Sequence, residues 1–389
     1  MSPARPIARR MAHIQPFHVM DLLARARRLE AQGRDIVHLE IGEPDFQTPA
    51  PIVEAGIRAL QAGYTHYTPA TGLPALREAI ARYYQDVLGA NVAPERIVIT
   101  PGASGALLLV MGILLNPDDQ VVMTDPGYPC NRHFVRTFEG EAVSVPVGPE
   151  TDYQLTAAHL ARHWSERTVA AMVATPSNPT GTLADSALLS ELLDFTRGRG
   201  GTLIVDEIYQ GLVYEGETGT AAALSEDLFV INSFSKFFGM TGWRLGWVVA
   251  PRDCVRELDK LAQNLFLAAS TPAQHAALAA FTPACMEILE ARREAFRARR
   301  DFLLPALREL GLKVPVTPRG AFYIYGDSTA FGEDSFVLAE RCLEETGVAI
   351  TPGLDFGTHL ARSHVRFAYT RDLPVLEQAV ERLRAFLRS

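Results

Sequence analysis

"LFVINSFSKFFGMTGWRLGWVVA", residues 228–250, sets an apolar run (228–232) and a second one (246–250) around a turn whose only charges are Lys236 and Arg244. Short, continuously apolar runs bounded by polar and glycine-bearing turns read as strands buried on both faces. The same signature recurs upstream in "RIVIT" (96–100), "QVVMT" (120–124), "VAAMVAT" (169–175) and "GTLIV" (201–205). Between the runs lie stretches of helical period, "SGALLLVMGILL" (104–115) and "ADSALLSELLDFTRGRG" (184–200), the second closing on a glycine as helices often do. Strands alternating with helices predict an α/β fold with a mostly parallel central sheet covered by helices. Ligands of such sheets sit at the carboxyl ends of the strands. Lys236 stands at such an end, where a lysine gains little from water.

The bulk composition limits what that site can serve. A chain of 389 residues with 48% hydrophobic content can bury a sizeable core and suggests a large domain plus a smaller one. From Met286 the texture changes to a long charged helix (286–311), the strand-like "GAFYIYGD" (320–327) and "HVRFAYT" (364–370), and a final amphipathic helix. The expected division is therefore a large domain at 48–288 and a smaller α/β domain built from 1–47 and 289–389, with an N-terminal arm. No internal repeat or low-complexity segment is visible. With 37 basic and 45 acidic side chains the net charge is −8, and no block of like charge resembles the basic footprint of a nucleic-acid binder. No apolar run approaches the ~20 residues of a membrane span, and the arginines near the start are not followed by the apolar stretch of a signal peptide. Cys130, Cys254, Cys285 and Cys342 are scattered without a CxxC pair, which fits idle thiols in a reducing cytoplasm and argues against a structural zinc site. The histidines lack metal-ligand spacing, so no metal is expected. Glycines 239, 242 and 246, and 102 and 105, have neither the spacing of a dinucleotide loop nor that of a nucleotide phosphate loop.

Several polar residues stand where an apolar run has just ended. Asp206 and Tyr209 follow "TLIV", Asn178 follows "VAAMVAT", Ala103 and Ser104 lie in the turn "PGASGA" after "RIVIT", and Ser233 and Lys236 follow "LFVIN". Singly, each has an ordinary use as a helix cap or a turn residue. Together, at one edge of one sheet, they describe a pocket.

These residues carry a resemblance. "SNPTGT" (177–182), "DEIY" (206–209) and "SFSKFFGMTGWRLG" (233–246), with "YTPATGLPALREAI" (67–80) upstream and "HVRFAYT" near the end, resemble the class I/II aminotransferases, pyridoxal-phosphate enzymes of fold type I. The likeness runs from "LEIGEPDF" (39–46) to residue 370, and Asn178, Asp206 and Lys236 stand 28 and then 30 residues apart. It implies a large cofactor-binding domain, pyridoxal 5'-phosphate as cofactor, and a ping-pong Schiff-base transfer of an amino group from an α-amino acid to a 2-oxo acid. Lys236 would form the Schiff base as a neutral amine, which a desolvated site near other cations favours, and would then move the substrate's α proton. Asp206 would pair with the pyridine nitrogen, Asn178 and Tyr209 with the ring hydroxyl, and Tyr128 would stack on the ring. Ser233, Arg244 and the helix start at Ala103 and Ser104 would hold the phosphate. Tyr67 would reach the phosphate of a neighbouring subunit, implying a homodimer with the active site at the interface. Arg366 would clamp the α-carboxylate, as a planar fork does well, with Gly42 as a backbone donor. The alternatives are a packed loop tyrosine at 128, a tyrosine beneath its own loop at 67, an exposed strand arginine at 366 and a plain turn glycine at 42.

The scaffold alone does not choose which substrate bond breaks, so a carbon–sulfur β-lyase is the alternative reaction. A non-catalytic ligand-sensing domain would need a DNA-binding module before it, and about 40 residues precede "IGEPDF". For the donor, the glycine turn has Ser104 and no basic residue, and "HIQPFHVMDLL" (13–23) offers Ile14, Phe17 and Val19 as a lid, with His13 and His18 as polar readers. A neutral or aromatic donor is therefore expected to outperform aspartate, with 2-oxoglutarate or pyruvate as acceptor. Arg319 in "TPRGAFYIY" is the cation that could upset this by reaching the pocket.

Overall fold

The computed structural model describes residues 5, 7–16, 18–332 and 334–387. Phe17, expected on the lid, lies outside them. The apolar runs become strands of one sheet: β1 (Ile97–Thr100), β2 (Gln120–Asp125), β3 (Glu141–Pro146), β4 (Thr168–Ala174), β5 (Thr202–Asp206), β6 (Phe229–Ser233) and β7 (Gly246–Val249). Their spatial order is β1-β7-β6-β5-β4-β2-β3. Only β7 runs against its neighbours β1 and β6; all other pairs are parallel.

The continuity of the apolar runs has a direct cause. Val98, Val121, Ile204, Ile231 and Val248 enter one hydrophobic cluster, while Ile99, Val122, Val205, Val230 and Val249, one position along, enter the other. All ten are at most 1% exposed, so neither face of the sheet is wet. Burying such a side chain contributes about 1.5–3 kcal/mol relative to leaving it exposed. Helix Gly102–Leu114 covers one face with Ala106, Leu107, Leu109, Val110 and Met111. Strand β3, at one edge, has no such run: only Val145 is buried, Glu141 and Ser144 are exposed, and it ends on Pro146, whereas β1 at the other edge is buried throughout.

The later part of the chain builds a three-stranded antiparallel sheet, in the order β9-β10-β8, from β8 (Tyr323–Asp327), β9 (Thr351–Pro352) and β10 (His364–Ala368). The N-terminal segment is tied to this part. Val37 and His38 pair in parallel with Val348 and Ala349, and the Leu39 carbonyl accepts from the Ala368 amide at 2.7 Å. That tie directs residues 40–43 toward the edge of the large sheet. The long helix Pro283–Glu309 runs through residue 288 without a break. Among the described residues no helix is long and apolar enough to cross a membrane.

Candidate active site

Strands β1, β2, β4, β5 and β6 all end at the same sheet edge, and their following residues converge there. Asp206 closes β5 and is 4% exposed. Its Oδ1 accepts from the Ile208 amide at 3.1 Å. Burial pushes its carboxyl up to about 7, against the opposing pull of that amide and of Lys236. Lys236, three residues past β6, donates from Nζ to the Gly42 carbonyl at 2.7 Å. Burial brings its ammonium down to about 8; Glu43 opposes this, while Arg366 and Arg244 add to it. The aromatic rings of Phe322 and Tyr209 lie 5.8 and 5.9 Å from Nζ. A neutral amine is thus accessible near neutral pH.

Lys236 borders two adjoining cavities. The first, about 330 Å³, is walled by Ala103, Ser104, Asp206, Ser233, Ser235 and Arg244, with Tyr128 at its side. Helix Gly102–Leu114 begins there, and no side chain caps it, so its first amides face the cavity end unclaimed by a cap. Gly102, at φ +71°, keeps this turn open: a Cβ there would stand 2.6 Å from an Arg244 guanidinium nitrogen. Arg244 itself is exposed, and its Nη1 donates to the Thr241 carbonyl at 3.0 Å. The second cavity, about 380 Å³, is walled by Gly42, Asn178, Tyr209, Tyr323, Phe356 and Arg366.

Arg366, on β10, is 5% exposed, so it is not an exposed strand arginine. Its guanidinium donates to Asn178 Oδ1 at 2.9 Å, the Glu40 carbonyl at 2.5 Å and Thr351 Oγ1 at 3.2 Å. It lies between the rings of Tyr323 and Phe356, 4.3 and 4.7 Å from their centres. Its Nε is buried with no hydrogen-bond partner among the described residues. Such a group has unspent capacity for an anion. Gly42 is needed for close approach: a Cβ there would fall 1.9 Å from the Tyr323 hydroxyl, which shares a 2.8 Å hydrogen bond with Tyr209.

The structure therefore brings Lys236, Asp206, Tyr209, Asn178, Ala103, Ser104, Tyr128, Ser233, Arg244, Gly42 and Arg366 to one place. Tyr67 lines neither cavity and is 83% exposed, so it does not pack beneath its own loop. Arg319 lines neither cavity and pairs with Asp152 at 3.2 Å. The His18 ring packs edge-on against Phe336, and His13 ends a short exposed 3-10 helix; neither lines either of these two cavities. Val19 does line the second cavity, with Met20 and Leu23, and one helical turn further stands Arg27, which sequence reasoning missed. Tyr323, Phe356, Thr351 and Glu43 were missed as well. The alternation in "GAFYIYG" could have flagged Tyr323, since it points one set of side chains at the pocket.

A parallel sheet whose carboxyl edge holds a deprotonation-prone lysine, a buried carboxylate and an anion-ready arginine defines an enzyme acting on small charged molecules. Residues 34–383 match the family described as aminotransferase class I and II. The chain is 38% identical to the valine–pyruvate aminotransferase of Mycobacterium tuberculosis, over 97% of this chain and 98% of that one. It is 37% identical to the aspartate/prephenate aminotransferase of Thermus thermophilus, over the same shares. A crystal structure of an aminotransferase from Mycobacterium tuberculosis superposes with a TM-score of 0.96 at 36% identity, covering 99% of this chain and all of that one. The chain belongs to the class I and II aminotransferase family. It is an aminotransferase, of a family that uses pyridoxal phosphate, and nothing in these likenesses supports the β-lyase alternative.

Proposed function

We propose that this chain is a cytoplasmic homodimeric aminotransferase that moves the amino group of a neutral or aromatic α-amino acid to a 2-oxo acid, with pyridoxal 5'-phosphate held in the 330 Å³ cavity. We assign residues 48–288 to the cofactor-binding domain and 1–47 with 289–389 to the smaller one. The observation that carries the reading is the position of Lys236 in the wall shared by two cavities, one ending in uncapped amides and Arg244, the other in Arg366.

The residues fit the cofactor. Asp206 is a buried carboxylate with no ion pair among the described residues, and its raised pKa is the mark of a site that would gain from a cationic ring nitrogen. The amides of Ala103 and Ser104, Ser233 with its neighbour Ser235, and Arg244 suit a phosphate. Asn178 and Tyr209 would bond the ring hydroxyl, and Tyr128 would lie against the ring. When bound, pyridoxal phosphate supplies an aldehyde that takes the Lys236 amine and a cationic ring that withdraws electrons. Asp206 keeps that ring cationic. Arg366 grips the substrate α-carboxylate through its free Nε edge and fixes the α-carbon beside Lys236, while Tyr323 and Phe356 hold the guanidinium flat. Lys236 Nζ, freed once the substrate amine displaces it from the aldehyde, would take the α proton and hold it for return.

The cavity wall supports a neutral or aromatic donor. Val19, Met20 and Leu23 face the second cavity with Phe356 and Tyr323, and an apolar side chain gains about 25 cal/mol per Å² it buries there. The purified protein should show a visible absorption band that shifts when a neutral amino acid is added. Lys236→Ala should lack that band; an unchanged spectrum and turnover in Lys236→Ala would end the reading.

A further inference from the structure

Helix α1 (His18–Ala31) puts one of its faces, Val19, Met20, Leu23 and Arg27, into the wall of the 380 Å³ cavity that Arg366 closes at depth. The spacing is that of one helical stripe, with Arg27 about 6 Å along the axis beyond Leu23. Three of the four are apolar. Arg27 is exposed, and no ion pair, hydrogen bond or ring contact ties it to any other described residue. The other acidic side chains on that wall are engaged elsewhere or lie deeper: Glu40 bonds the His38 ring at 2.7 Å, Asp355 accepts from the His18 and Val19 amides at 2.8 Å each, and Glu43 stands beside Lys236. Arg25, on the same helix, is anchored by Glu340 and Glu344 at 2.6 Å, and Arg28, exposed like Arg27, does not line the cavity.

From this we infer that Arg27 determines specificity for the acceptor, binding the distal carboxylate of a dicarboxylic 2-oxo acid while Arg366 holds its α-carboxylate. The inference rests on the aminotransferase reading and deepens it. One cavity takes donor and acceptor in turn, so a dicarboxylic acceptor would bring a charged side chain to a wall suited to an apolar one. A carboxylate placed against Met20 and Leu23 without a partner would be desolvated at a cost. An unpinned guanidinium on a long stem resolves the conflict: it turns in to pair with a distal carboxylate and stays in water when the side chain is apolar. Ser104 supplies no charge and Arg319 is spent on Asp152, which leaves Arg27 as the cation of this wall beyond Arg366 and Lys236.

The test is a ratio measured on the holoenzyme: kcat/KM for 2-oxoglutarate over that for pyruvate, with one neutral donor. In the native enzyme the ratio should exceed one. In Arg27→Gln it should fall about 10- to 100-fold, the size of a lost charge-assisted hydrogen bond, and in Arg27→Lys by less, because the charge remains and the fork does not. Ratios equal in the three proteins, or a native preference for pyruvate, overturn the assignment of Arg27. A native protein whose visible spectrum ignores amino acids fails earlier and overturns the aminotransferase reading instead, so the two failures are separable.

Discussion

Asp206 and Lys236 are each displaced by burial toward the neutral form, the acid up to about 7 and the amine down to about 8. Neither displacement serves the free protein, since each makes a buried group harder to charge. Both make sense once a cationic ring lies against Asp206 and an aldehyde against Lys236. Replacing Asp206 by alanine should therefore lower turnover at least ~100-fold, as when one strong electrostatic contact to a developing charge is lost. Cofactor affinity should fall less, because the helix start, Ser233 and Arg244 are untouched. Asp206→Asn keeps the acceptor for the Ile208 amide without the charge, so it should resemble the alanine variant in turnover. Steady-state rates beside a cofactor titration decide this; near-normal turnover in both variants would make Asp206 a structural residue. Asp206, Asn178 and Lys236 were legible in sequence because each stands at most four residues past an apolar run that is buried on both sides. Arg27 was not, since nothing local tells an arginine on a cavity wall from one in water. Arg366 was legible through family resemblance alone, and its buried Nε needed coordinates.

Helix α1 forms one wall of the 380 Å³ cavity yet is anchored at its start by a residue far along the chain. Asp355 accepts from the His18 and Val19 amides, at 2.8 Å each, as an N-cap supplied from outside the helix. Arg132 in turn donates to the Asp355 carbonyl at 3.0 Å. Asp355→Ala should free two amides and let the first turn fray, costing about 0.5–2 kcal/mol locally. The expected result is a several-fold rise in KM for the donor, with kcat and the visible spectrum little changed and the melting temperature lowered by roughly 1–4 °C. Asp355→Asn, which keeps an acceptor, should recover part of KM. An unaltered KM with a lowered melting temperature would detach the cap from substrate binding. This element also marks where sequence reading stops. The strands buried on both faces, β1 at one edge included, were readable because their apolar runs are unbroken, whereas β3, wet along the other edge, left no run to read. The pairing of Val37 with Val348 joins segments more than 300 residues apart, and no local pattern encodes such a partner.

At the scale of the whole molecule, Tyr67 is the residue expected at the site from sequence that lines neither cavity. It is 83% exposed, and so in part are Tyr64 at 51%, from the same loop, and Leu265 and Leu267 at 49% and 53%. These belong together: the His66 carbonyl in that loop accepts from Thr271 Oγ1 at 2.6 Å, and Leu265 and Leu267 lead into helix Thr271–Ala277. Aromatic and aliphatic side chains gathered at one surface favour association, and a two-fold dimer would present the same patch from both copies. A tyrosine that crosses to the neighbouring cavity predicts a result that no tyrosine acting within its own subunit can give. Tyr67→Phe should bind pyridoxal phosphate roughly 10-fold more weakly, the effect of one lost hydrogen bond to a charged group, while remaining dimeric. Hybrid dimers with a Lys236→Ala subunit then separate the two arrangements. In the hybrid, the only site with an intact Lys236 belongs to the Tyr67→Phe subunit, and its phosphate meets the native Tyr67 of the partner if the residue acts across the interface. Native-like affinity at that site is the expected outcome, read as the visible band of the hybrid during cofactor titration. Affinity as weak as in the Tyr67→Phe homodimer would confine Tyr67 to its own subunit and remove the reason for placing the active site at an interface.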